Sequence, residues 1–158
     1  GLFSALAEPI YKDSGYVGGA IFNQSGASIT IENCDFINNV CTKEGSAIKS
    51  TGTMVVRDSY FTENYRDDNG NTTRSVWVTG GSATFERNVF EENAGGAIGL
   101  VNAGTEAIFK GKNEFLNHKE ALSKFLFFRK ASLSFSPASC SALELYFLFS
   151  SLAKSFLD

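Results

Sequence analysis

The sequence predicts an all-β chain: a right-handed, single-stranded parallel β-helix of about four coils, followed by a C-terminal helical or irregular apolar segment. Three observations predict it. The first is a period, since Phe36, Phe61, Phe90 and Phe115 lie 25, 29 and 25 residues apart, and a steady interval of this length marks a stack of repeated structural units. The second is period-two alternation ahead of each of these phenylalanines, which marks a half-buried strand. The third is composition: 15 Gly against 2 Pro, with Asn, Ser and Thr crowding the first three quarters, suits short strands joined by tight turns rather than a helix bundle.

The units justify this element by element. Gly45 to Asn64 and Arg74 to Asn93 align without a gap. In each, an apolar pair leads through small turn residues into an alternating strand and ends as Phe-x-x-Asn. Gly18 to Asn39 follows the same plan with a longer turn, and Gly95 to His118 follows it with further small insertions and His118 at the close. The alternating positions Ile29 and Ile31, Met54 and Val56, Ala83 and Phe85, and Ala107 and Phe109 are apolar in every unit. Their neighbours are mostly polar. One unit cannot bury its own apolar side, whereas stacking units at about 4.8 Å shares one continuous core. Phe36, Phe61, Phe90 and Phe115 are accordingly expected as a core stack rather than a sugar-stacking platform. Asn39, Asn64 and Asn93 are expected at the turn after each buried Phe, accepting a left-handed conformation and bonding one another as a ladder. In the gap-free alignment Trp77 matches Ile48, which puts it in a packed column.

The repeat of Gly-Gly-Ala-Ile (Gly18 to Ile21, Gly95 to Ile98) with Phe-x-x-Asn (Phe36 to Asn39, Phe61 to Asn64, Phe90 to Asn93) resembles that of the chlamydial polymorphic outer-membrane proteins and of related pectin-lyase-like β-helix proteins. The likeness covers roughly residues 18–118 and departs from the pattern at Gly45-Ser-Ala-Ile, Ser75-Val-Trp-Val and His118. Residues 1–118 are expected as β-helix coils of a fragment whose N-terminus is incomplete; after about residue 118 Gly vanishes and Phe, Leu and Ser take over, so residues 119–158 are expected as an apolar tail, read as a cap, an amphipathic membrane-surface segment or a segment not native to the fold. Within that tail, Ala121 to Lys130 and Ser141 to Phe156 read as helices broken at Pro137. The apolar stretch Leu145 to Ala153 is far shorter than the roughly 20 residues of a bilayer span, so no transmembrane span is expected.

Chemistry has few places to reside. The 29-residue spacing locates an excursion, Tyr65 to Thr73, in which Asp67, Asp68, Asn69 and Asn71 supply hard oxygen atoms around Gly70. This is the candidate ligand-binding loop and suits at most a weak calcium site, since Val78 stands where an EF-hand needs Glu; no other cofactor or metal is expected. Glu63 and Glu92, each just before a closing Asn, are expected on successive coils, where paired carboxylates could share a proton or a cation. Their counterparts Asn38 and Asn117 break any extended acidic row, and Arg57 and Arg87 fall at different places in their coils. No catalytic residue is expected. His118, the sole histidine, has no recognisable nucleophile elbow to serve. Cys34, Cys41 and Cys140 fit neither a CxxC site nor an even disulfide framework; a Cys34 to Cys41 bridge and free thiols both remain open. Asn23-Gln-Ser and Asn71-Thr-Thr are sequons that matter only in a eukaryotic secretory route. With a net charge of -3 the surface does not favour nucleic acid. The expected role is a non-enzymatic, extracellular or cell-surface scaffold for adhesion or recognition of a protein or carbohydrate, with a carbohydrate-active lyase or hydrolase fragment as the alternative.

Overall fold

The computed structural model describes residues 2–3, 17–66, 73–116, 126–129 and 132–135. Every described element is a strand, and every pairing is parallel. One sheet contains β1 (Leu2–Phe3), β4 (Asp35–Ile37), β8 (Tyr60–Thr62), β12 (Val89–Glu91) and β15 (Glu114–Leu116). A second contains β2 (Ile21–Asn23), β6 (Ile48–Ser50), β10 (Val76–Val78), β13 (Ile98–Val101) and β16 (Leu126–Arg129). The third contains β3 (Ser28–Glu32), β7 (Thr53–Arg57), β11 (Ser82–Glu86), β14 (Glu106–Lys110) and β17 (Ser132–Phe135). A short pair, β5 (Val40–Cys41) with β9 (Tyr65–Arg66), closes the first two coils. The chain thus visits the second, third and first sheet in turn, four times over, and each coil lies on the one before it.

The core is what the alternation demands. Met54, Val56, Ala83, Phe85, Ala107 and Phe109 point inward from the third sheet at 2 % exposure or less. Ile48, Val76, Val78, Ile98 and Leu100 do so from the second at 0 %. Phe36, Phe61, Phe90 and Phe115 stack in one file with ring centroids 4.5, 4.6 and 5.3 Å apart and planes within 11°. Phe85 and Phe109 stack beside them at 5.3 Å. Strand spacing of about 4.8 Å sets these distances, so the register stacks the aromatic rings without any side chain having to seek its partner. The Gly-Gly-Ala-Ile entry to a coil has a steric cause at Gly19: a Cβ there would lie 2.1 Å from the Ser46 carbonyl oxygen and 2.4 Å from that of Val40.

Three details differ from the expectation. The helix predicted over Ala121 to Lys130 is, in its described part, strand β16, which pairs with β13, and β17 pairs with β14. Apolar alternation in a short run serves a buried strand as well as a helix, and the strands ahead supply the edge that decides it. The second predicted helix, Ser141 to Phe156, lies outside the described residues. The left-handed corner residues are not Asn39, Asn64 and Asn93 but those just before them: Asn38, Glu63 and Glu92 have φ of 55°, 53° and 52°. The change of hand one residue earlier is what turns each closing Asn inward. Finally, Val76, not Trp77, pairs with Ile48, and Trp77 pairs with Lys49, so the indole is on the outer face.

Candidate functional site

Rows of side chains follow from the register, and two of them are buried amide ladders. In the first, Asn39 Nδ2 and Asn64 Nδ2 each donate at 2.9 Å to the Oδ1 of the next Asn, Asn64 and Asn93. Those same oxygens accept the backbone N–H groups of Asn39 and Asn64 at 2.9 and 3.1 Å. The amides of Asn64 and Asn93 also donate backwards, to the Phe36 and Phe61 carbonyls at 2.9 Å. The corner backbone, which has no sheet partner there, is thereby satisfied in the dry interior. The second ladder was not anticipated: Asn88 Nδ2 donates to Asn113 Oδ1 at 3.1 Å, and the Ser59 N–H donates to Asn88 Oδ1 at 3.1 Å. Its signal was present as the residue two before each Phe, which reads Cys34, Ser59, Asn88 and Asn113. Both ladders are structural, since their amides are buried and bonded to the neighbouring coils.

At the outer side of the first corner, Glu63 and Glu92 do lie on successive coils. With Asn38, Tyr65 and Ala94 they line a shallow depression of about 240 Å³. Asp67, Asp68, Asn69 and Asn71 fall outside the described residues, as do Asn117, His118 and Cys140. At the other corner, Asp58 and Arg87 come from successive coils and meet in a two-pronged ion pair at 2.7 and 2.7 Å. The hydrogen bonds from Arg87 hold the Asp58 carboxyl below the usual carboxylate range, and Asp58 with Glu86 raises the guanidinium in turn. Arg57 pairs instead with Glu32. The Tyr60 hydroxyl donates to Glu91 at 2.6 Å, and that bond raises its pKa. Among the described residues, no group of three or more His, Cys, Asp or Glu side chains could hold a metal ion. Cys34 and Cys41 are not disulfide-bonded. The Asn23 sequon is blocked sterically: Asn23 is 5 % exposed, and its Nδ2 donates to Ser50 Oγ and the Thr53 carbonyl, each at 3.0 Å; Asn71 lies outside the described residues.

A further row is the outer face of the second sheet. Phe22, Lys49, Trp77 and Gly99 are in register on β2, β6, β10 and β13, alternating with the inward residues of those strands. Phe22 is 46 % exposed and Trp77 is half-buried. Lys49 is 8 % exposed, and its ammonium is paired with Glu44.

Residues 10–115 match the family model described as the right-handed beta helix region. The chain belongs to that family. The match spans all four described coils, from before β2 to the middle of β15, and it supplies the hand of the coiling. No curated protein and no solved structure matches the chain. For this β-helix, then, the family fixes the architecture, and function has to be argued from its side chains. Among the described residues, no helix is long and apolar enough to cross a membrane.

Proposed function

We propose that this β-helix is a non-enzymatic recognition scaffold, secreted or displayed at a cell surface, that engages a protein or carbohydrate partner through outward rows of side chains. One observation carries the reading: several outward polar groups are paired with one another across or along the coils, Asp58 with Arg87, Glu32 with Arg57, Glu44 with Lys49, and Tyr60 with Glu91. Groups paired in this way hold a surface in a fixed shape. A hydrolase or lyase needs carboxylates and bases left open to substrate and set at matched pKa values.

Purified protein incubated with uronic-acid polymers and with neutral glucans, with and without calcium, tests this. No new reducing ends and no unsaturated uronates are expected, together with saturable retention on immobilised cell-surface material. Cleavage of any of these polymers would overturn the scaffold reading and turn attention to Glu63 and Glu92.

A further inference from the structure

The third sheet has the longest strands among the described residues, since β3, β7, β11 and β14 are each five residues long. Alternate side chains on a strand share a face, and the register aligns the outward ones into three rows along the stack. One edge row is charged: Glu32, Arg57, Glu86 and Lys110, which alternate in sign from coil to coil. The middle row is Thr30, Val55, Thr84 and Ile108. The other edge row carries hydroxyl groups from Ser28 up to Glu106 in the fourth coil. Every side chain of the three rows is exposed or half-exposed, and none is buried. Glu32 and Arg57 pair with each other within the chain, yet each side chain keeps 41 % of its surface open, and Lys110 is exposed.

We propose that this face docks on the same face of a second copy of the chain, about a two-fold axis that runs along the strands midway between β7 and β11. That operation reverses the order of the coils and keeps each row opposite itself, so the contact is isologous and closes at two copies. A row that alternates in sign is its own complement when read backwards. Glu32 meets the partner's Lys110 and Arg57 meets the partner's Glu86, and symmetry repeats both contacts, with no like charges opposed. In the middle row Val55 meets the methyl group of the partner's Thr84, and Ile108 that of the partner's Thr30, which removes the two outward aliphatic side chains from water. At the other edge the Ser28 hydroxyl can donate to the partner's Glu106 carboxylate. A two-fold axis along the stack would instead set the charged row against the hydroxyl row, leaving Lys110 and Glu106 as the only opposite charges in contact. The face measures about 17 by 19 Å from strand length and spacing. That is small for a specific interface, so the dimer is transient, with a dissociation constant on the order of 0.1 mM.

Sedimentation equilibrium of the full chain, over concentrations reaching about tenfold either side of that constant, tests this. A monomer–dimer equilibrium is expected, and it should weaken as salt rises, because exposed charge pairs are screened. Lys110→Glu sets like charges against the partner's Glu32 twice per dimer and should weaken association by at least about tenfold. Glu32→Lys should do the same against the partner's Lys110. The two substitutions together restore opposite charges only in the coil-reversed register, and should return association to near the wild-type level. Lys43→Glu, an equal change of net charge at an exposed position off the face, should leave the dimer unaltered. All of these side chains are exposed, and the far-ultraviolet circular dichroism and melting transition of each variant should match those of the wild type. A monomer throughout the range overturns the proposal, as does association that runs past the dimer into open-ended stacks. So does a dimer indifferent to Lys110→Glu, or a loss in Lys110→Glu that Glu32→Lys does not repair.

Discussion

Asn64 illustrates how much of a coil corner depends on one side chain. Its Oδ1 accepts both the backbone N–H and the Nδ2 of Asn39, and its own Nδ2 donates to the Phe36 carbonyl and to Asn93 Oδ1. All of these groups are out of reach of water, since Asn39, Asn64 and Asn93 are at most 1 % exposed. Removing the amide leaves several buried donors and acceptors unsatisfied, each at a cost of about 1–3 kcal/mol. Asn64→Ala should therefore destabilise the fold by on the order of 3 kcal/mol or more. Gln24→Ala, at an exposed turn, should stay within about 0.5 kcal/mol. Urea denaturation of the two variants checks this, and equal midpoints would refute the ladder's role. The recurrence of Asn after Phe-x-x makes such residues legible in the sequence, but their backbone conformation was not. An isolated Asn is the natural candidate for positive φ; only the need to aim its amide inward moves the left-handed residue to Asn38, Glu63 and Glu92.

Among elements, the phenylalanine file offers a graded comparison within one chemistry. Phe61 is fully buried and lies between Phe36 and Phe90 at 4.5 and 4.6 Å. Phe115 stacks on Phe90 at 5.3 Å and is only partly buried. Truncating a buried Phe costs about 3–5 kcal/mol, most where the surroundings cannot collapse into the space. Phe61→Ala should fall in that range and Phe115→Ala well below it, by denaturant melts at matched slope. Costs in the reverse order would mean that the stack is held from its C-terminal end. This file was legible because a conserved interval between like residues needs no knowledge of the turns. Trp77 was misplaced for the opposite reason. Six positions separate Ile48 from Met54, but seven separate Val76 from its counterpart Ala83. The extra turn residue was hidden because a gap-free alignment absorbs it in β10. A slip of one residue turns a strand inside out, and here it carried Trp77 from the core to the outer face.

At the scale of the whole molecule, the coils are nearly equivalent in sequence pattern but not in neighbours. β6, β10 and β13 are paired on both sides, and so are β7, β11 and β14, whereas among the described residues β2 and β3 stand last in their sheets and pair on one side only. The period foretold the stack; it could not foretell this gradient, because each repeat reads the same wherever it sits. In a solenoid the stability of a unit is approximately its own term plus one interface term for each neighbour. A central coil opens only by breaking two interfaces, and an end coil by breaking one. Amide hydrogen exchange should therefore be slowest in Ile48–Ser50, Thr53–Arg57, Val76–Val78 and Ser82–Glu86, and faster in Ile21–Asn23 and Ser28–Glu32, although all are strands with the same alternation. The strain placed on the ladder by Asn64→Ala should extend this fast exchange inward to Thr53–Arg57 while sparing Glu106–Lys110. Uniform protection from β2 to β14, in wild type and variant alike, would instead mean that the coils open as a single cooperative unit and that the nearest-neighbour description does not apply to this chain.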